Sequence, residues 1–398
     1  MIRHLLKLVW HRKRANALLM AEIFFSFLVV FAVLTVGASL ILRWNEPLGF
    51  DYHDVWLVSM SGGQQPADQE RATKDRLIRE VKSFPEIVDA ALSECPAYGN
   101  ATSEGVWDLH GRRVTLKRDN VTDGFANVMR MKVLRGRWFQ PSDDALNYRP
   151  VVVDADLARA IFGDEDAVGK KLDDSGQVED RVVGVVAPYR KDGEVASTAE
   201  NMLFLRVSTT NPKQASDSDD LGGNMLVRVR PGTPSNFEQA LLNRLHAAAP
   251  DHAFHLRRMS GMRDNFLRLH IAPLIVLGII AMFLIAMVAL GLTGVLWQTV
   301  TRRTRELGLR RALGATGSSV RAQVLGEVTL LSTLSLVVGV VIVLQLPLLG
   351  VFALVQPAVF GIGVVAALVV IYAISLMCGW YPSWLASQVT PAEALRYE

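Results

Sequence analysis

Apolar residues fall into blocks along this chain. Four long stretches, about Ala17–Leu42, Pro273–Trp297, Val324–Leu346 and Val359–Trp380, are almost free of charge. From Val328 to Ala392 there is no Asp, Glu, Lys or Arg at all. A run of that length cannot be the core of one helix, and water would not tolerate it as a loop. It suits two passes of about 20 residues each through a hydrocarbon layer about 30 Å thick. The pattern predicts four membrane-crossing helices, at 17–42, 271–297, 322–346 and 358–380, with a short uncharged loop at 347–357.

Between the first two crossings the pattern changes. Residues 43–270 alternate short apolar runs with polar ones, which predicts a mixed α/β domain. Strands are expected at 55–58, 88–92, 113–116, 149–153, 181–186, 202–205 and 225–229, most of them bounded by Gly, Pro, Asn or Asp. Helical spacing covers 72–81, with Leu77, Ile78 and Val81 as its buried face. Two further helices are expected, one from Asp154 as a cap to Phe162 and one from Ser235 to Ala249 ahead of Pro250. The polar, acidic stretch 211–223 reads as a loop.

Charge orients the crossings. Residues 1–42 carry net +4, residues 271–398 carry net +3, and the middle, 43–270, carries net −4. Lys and Arg cluster before the first helix and between the second and third. The positive-inside rule therefore puts residues 1–16, the 298–321 connection and the 381–398 tail in the cytoplasm. The acidic domain then lies outside, and an acidic domain argues against nucleic acid as a partner. Arg12-Lys13-Arg14 before an apolar run also fits a signal peptide, but about 25 apolar residues exceed a typical signal core. Glu22 lies about one turn inside the first helix and is expected at the interface, near Arg12–Arg14 or lipid headgroups. Apart from Gln298 and Gln345 at the ends, the crossings read as lacking a polar lining, against a hydrophilic tunnel.

Candidate chemistry is sparse. Gly163 to Lys171 resembles a phosphate loop, but has one residue too many between its glycines and Lys171 where Ser or Thr is required. His252 and His255, three apart, suit two metal ligands on a helix, although surface histidines are the simpler reading. No Gly-x-Ser-x-Gly or His-Glu-x-x-His occurs. Cys95 and Cys378 fall in different segments, so they suggest no disulfide framework. The chain reads as no enzyme, with no cofactor or metal of its own.

Residues 301–315, Thr-Arg-Arg-Thr-Arg-Glu-Leu-Gly-Leu-Arg-Arg-Ala-Leu-Gly-Ala, and then Val320-Arg-Ala-Gln-Val-Leu-Gly-Glu327, resemble the signature of MacB/FtsX-type ABC transporter permeases. The ending from Tyr381 to Glu398 is similar to that family's. So are Leu134-Arg-Gly-Arg-Trp-Phe139, Ala158 to Gly163, Val168-Gly-Lys170 and Val182-Val-Gly-Val-Val186 in the middle domain. The resemblance implies a type VII transmembrane subunit with a MacB-like periplasmic core domain at 43–270, in the bacterial inner membrane. It implies a dimer with an identical or sister permease chain and two copies of an ABC ATPase subunit holding ATP and magnesium. Here the ATPase is expected on a separate polypeptide. A periplasmic adaptor and an outer-membrane duct are further implied partners, beside membrane lipid.

The resemblance also places ATPase contact at Arg302, Arg305, Glu306, Leu307, Gly308, Arg310, Arg311, Ala312, Leu313 and Gly314. On a helix Glu306 would bridge Arg302 and Arg310, each four residues away. Glu327, about one turn into the third crossing, is expected to pair with Arg321 or the 301–311 arginines and support the coupling segment. Three functions stay open: efflux of a peptide, antibiotic or other amphiphile through a tripartite assembly, lipoprotein extraction, and non-transporting regulation of an external protein.

Overall fold

The computed structural model describes residues 13–62, 66–172, 179–196, 200–208, 222–302, 316–349 and 357–388. They divide into two compact units, one drawn from 1–42 and 270–398, the other Arg43–Leu269.

The first unit contains four helices long and apolar enough to cross a membrane. They belong to α1 (Lys13–Trp44), α6 (Met259–Arg302), α7 (Gly317–Gln345) and α8 (Pro357–Gln388). Ile23, Phe27, Phe31, Leu292, Leu336 and Ile371 form the centre of their packing. Apolar side chains also cover the outside: Phe283, Leu290, Val365 and Met377 are all more than half exposed. Helices apolar all round suit a lipid surround. Small residues set the closest approaches. Gly339 faces the Phe27 ring, and a Cβ at Gly363 would overlap the Thr35 side chain.

The second unit is α/β with two sheets. One has four strands in the order β10 (His252–Arg258), β1 (Val55–Gly62), β9 (Asn224–Val229), β2 (Ile87–Leu92), with every pair antiparallel. Helices α2 (Ala67–Lys82) and α5 (Phe237–Ala248) cover one face, where Leu77, Val81 and Leu241 meet Trp56, Val58 and Val227. The other sheet is mixed, in the order β3 (Ser103–Leu109), β4 (Arg112–Val121), β8 (Met202–Arg206), β6 (Arg149–Asp154), β7 (Asp180–Val186), β5 (Val133–Gly136). Helix α4 (Ala155–Phe162) packs Leu157 and Ile161 on Val151, Val153, Leu203 and Leu205. The alternate residues Val152 and Phe204 face the opposite way, as the two-residue period of a strand requires. There they join Leu57, Leu226 and the short helix α3 (Phe125–Met129) in a core shared by both sheets. Buried Arg228 spans this core and donates to the carbonyls of Val128, His53 and Asp51.

Four helices with an α/β domain between the first two are what the apolar pattern predicts. Several details differ. Strands β3, β5 and β10 were not expected, because Glu, Arg and His interrupt their apolar pattern. His252 and His255 therefore lie on a strand. Residues three apart there point to opposite faces, so the pair cannot share a metal. Helix α5 begins at Phe237 after Asn236, two residues past the expected cap at Ser235. Asp154 does cap α4, its carboxylate accepting the Leu157 N–H at 2.8 Å. Helix α6 begins at Met259, well before Pro273, because the lead-in Met259 to His270 is too polar to read as part of a crossing. The loop expected at 211–223 falls mostly outside the described residues.

Candidate coupling site

Of the residues assigned to ATPase contact, Arg305 to Gly314 lie outside the described residues, and Arg302 is the last residue of α6. Beyond that segment Thr316 caps α7, its hydroxyl accepting the Ser319 N–H. Glu327 sits half-buried in the second turn after Val320. On the same helix the Nε of Arg321 is buried without a hydrogen-bond partner.

The Glu22 carboxylate packs against α6 at Gly291, where a Cβ would come within 2.9 Å of Oε2. One expectation about the crossings needs correction: they are not devoid of polar groups at mid-depth. The Ser332 hydroxyl donates to Ser375 at 2.9 Å, and Thr333 lies 3.0 Å from the Tyr372 hydroxyl. These groups bond α7 to α8, which satisfies them inside the bundle. Short hydroxyl side chains among apolar ones leave the mean hydropathy high, so the sequence pattern conceals them.

The inserted domain holds a denser polar site around residues 190–196, where it receives the end of α1 and the start of α6. Arg43, near the end of α1, donates to the Ala196 carbonyl at 2.8 Å. Arg190 returns the bond, donating to the Arg43 carbonyl at 3.0 Å, while its own N–H reaches the Leu48 carbonyl. From α6, Arg263 donates through Nε and Nη2 to one oxygen of Glu194 at 2.8 and 2.6 Å. Its guanidinium also lies over the rings of Trp44 and Tyr52. The Tyr98 hydroxyl reaches the second oxygen of Glu194 at 3.4 Å. Residues 190–196 thus bind the two helix ends through separate bonds, accepting from Arg43 and Arg263 and donating back to α1 through Arg190. Glycine is required at 193, where φ is +62° and a Cβ would overlap the Tyr98 ring. Burial, with the Glu194 carboxylate beside it, keeps the Tyr98 phenol protonated.

A second group of charges stiffens this loop from behind. Lys117 of β4 lies 2.6 Å from Asp192 and 2.5 Å from Glu200. Burial pushes the Glu200 carboxyl up to about 7, and the nearby Asp192 charge adds to the rise. Burial raises the Asp192 carboxyl most, but the Lys117 hydrogen bond and charge, with the Lys191 charge and the Glu200 hydrogen bond, together hold it below the usual carboxylate range. Lys191, 1% exposed, donates to the Gly99 carbonyl at 3.3 Å and the Thr102 hydroxyl at 3.1 Å. Sequence reasoning missed all of these residues. The one signal available was the charge density of Arg190-Lys191-Asp192-Gly193-Glu194 beside an apolar strand.

Comparison with known proteins places this architecture. The family model for the MacB-like periplasmic core domain matches residues 17–243, and that for the FtsX-like permease C-terminal region matches 278–391. The chain belongs to the MacB/FtsX-type ABC transporter permeases. Among curated relatives of this family, the macrolide export ATP-binding/permease protein MacB of Chromobacterium violaceum is 26% identical over 286 residues. That match covers 69% of this chain and 42% of the relative. The chain spans at most about half the length of the MacB relatives it matches. The ABC transporter permease YvrN of Bacillus subtilis is 23% identical over 371 residues, covering 90% of this chain and 88% of that one. A probable syringafactin export ATP-binding/permease protein, SyfD of Pseudomonas syringae, is 26% identical over 295 residues, covering 69% and 42%. Among solved structures, the periplasmic region of MacB from Actinobacillus actinomycetemcomitans aligns with 56% of this chain and 97% of its own, at TM-score 0.39 and 16% identity.

Proposed function

We propose that this permease couples ATP binding and hydrolysis by ABC ATPase subunits to shape change in its inserted domain, and that it thereby expels an amphiphile from the periplasm. The observation that carries this reading is the loop 190–196, whose Glu194 and Ala196 bind Arg263 of α6 and Arg43 of α1. Helices α1 and α6 each run in sequence from an apolar span to residues that make these contacts, the route by which displacement of either would reach the domain. The positive-inside distribution supports an external domain with both termini in the cytoplasm, in the inner membrane. The basic segment 301–315 then faces the ATPase, with Arg302, Arg305, Arg310 and Arg311 as docking charges. YvrN, matched over most of its length, bears the name of a permease, which supports ATPase subunits on separate chains. Efflux is favoured over lipoprotein extraction and regulation because the MacB and SyfD relatives are both named for export.

Purification of the full chain in mild detergent, with identification of every co-eluting protein, tests this. An ABC ATPase, and a second permease chain, should co-isolate, and ATP hydrolysis should require the ATPase. Hydrolysis by the isolated chain, or labelling of residues 211–223 from the cytoplasm, would refute it.

A further inference from the structure

Next to Tyr98 the inserted domain has a cavity of about 280 Å³. Its deep wall is apolar: Leu57, Tyr98 and Met262 line it and are themselves nearly inaccessible. Phe266 and Leu269 continue this wall along α6, Leu269 being 63% exposed. The rim is polar, formed by exposed Asn100, Arg257 and Asn265. Polar atoms supply more of the accessible lining than apolar ones, so the cavity suits a polar head group over a small apolar floor.

Arg257 is the informative residue. Its neighbour Arg258, on the opposite face of β10, is bound to Glu238 at 2.7 Å and lies over the Trp56 ring. Arg257 pairs with Leu57 across the sheet and so stands on the cavity side. Among the described residues it has no ion pair or side-chain hydrogen bond. A guanidinium with no such partner, at the rim of a largely polar cavity, offers a two-pronged donor to a planar anion.

The wall is also built at a cost. Tyr98 has φ +59°, a backbone conformation unfavourable for a side chain of this size. It is held there by its N–H to the Lys191 carbonyl, its hydroxyl to Glu194, and buried Lys191 on the Gly99 carbonyl. Strain kept in place by buried charges, beside an unused cation, marks a prepared surface.

We propose that this cavity binds the carboxylate head and first carbons of an anionic amphiphile of the N-acyl amino acid type. Arg257 takes the carboxylate, the amides of Asn100 and Asn265 take its flanking polar atoms, and the chain runs over Tyr98, Met262 and Phe266 to leave past Leu269. At about 280 Å³ the space is below the roughly 300 Å³ that holds a whole drug-sized ligand, so it takes the head end and leaves the tail outside. Because Tyr98 also touches Glu194, a single side chain separates the ligand from the loop that binds α1 and α6. The proposal rests on the export reading for its purpose, but its test needs neither ATP nor transport.

The test uses the full chain in lipid nanodiscs, without ATPase or nucleotide, and N-dodecanoylglycine carrying a diazirine on its chain. Irradiation should label peptides containing 96–101 or 262–269, and unlabelled N-dodecanoylglycine should compete. Arg257→Gln and Asn265→Ala, both at exposed positions, should each lower labelling, the former fivefold or more, while Arg258→Gln leaves it unchanged. The methyl ester should label weakly. Equal labelling by the ester, indifference to Arg257→Gln, or stronger competition by dodecyl phosphate than by the carboxylate would overturn the proposal. Since no ATPase is present, failure here leaves the export reading intact. Conversely, labelling as expected from a chain that recruits no ATPase would overturn only the export reading.

Discussion

Glu194 receives two protons of the Arg263 guanidinium on a single carboxylate oxygen, at 2.8 and 2.6 Å, with only 6% of its side chain exposed. The pair joins the loop after β7 to the first turns of α6. Removing one member of a buried pair strands the other charge, which costs about 3 kcal/mol or more. Glu194→Leu and Arg263→Met should each lower the unfolding temperature of the purified protein. The double variant should lose clearly less than the sum of the two, by about 1–3 kcal/mol of coupling. Additive losses in thermal melts would show that the two residues act separately.

The close approach of α8 to α1 depends on Gly363. A Cβ there would overlap Thr35, whereas Gly361, two residues earlier, has no neighbour within 4 Å. Gly363→Val should therefore destabilise the bundle by about 1–3 kcal/mol through overpacking, and Gly361→Val by much less. Protease resistance in detergent, compared between the two variants, checks this.

Asp119 is fully buried and accepts the Ser93 hydroxyl at 2.8 Å and the Cys95 N–H at 2.9 Å. Burial pushes its carboxyl up to about 7. The unfolded chain releases this proton near 3.8, so between that value and about 7 the folded protein binds the greater number of protons. The stability this group contributes is complete below the ordinary value and is lost as pH rises through about 7. The melting temperature should rise on acidification from pH 8 to pH 5.5. Asp119→Asn, which keeps an acceptor for Cys95, should melt higher than wild type at pH 8 and show a flatter profile. An unchanged profile in the variant would assign the effect elsewhere.

Glu327→Leu should leave membrane insertion intact and uncouple ATP hydrolysis from export. Arg310→Ala with Arg311→Ala should lose co-purification of the ATPase. Export by the first variant at the wild-type level, measured in cells, would remove the coupling role.

How much of this could be read from residues alone differs between the two units. Val328 to Ala392 bears no charge, and a span that apolar admits one solvent, so the crossing helices are legible without knowing their packing. Val151 to Val153 and Leu203 to Leu205 are legible as strands because buried β-branched and apolar runs permit little else. Ser103 to Leu109 and His252 to Arg258 are not, because edge strands with one solvated face carry Glu, His and Arg in irregular order. The first turns of α6 escape because Ser260, Asp264, Asn265 and Arg268 are exposed and polar, while Arg263 among them turns to Glu194 inside the domain.

Composition and order by themselves determined the membrane spans, the inserted α/β domain and the family. The pairing of Glu194 with Arg263, of Arg43 with Ala196 and of Gly363 with Thr35 was decided only by the tertiary structure. Each brings together residues from 69 to 328 positions apart. Hydropathy is a property of neighbours in sequence, whereas an ion pair or a close packing contact depends on which surfaces the finished fold sets face to face.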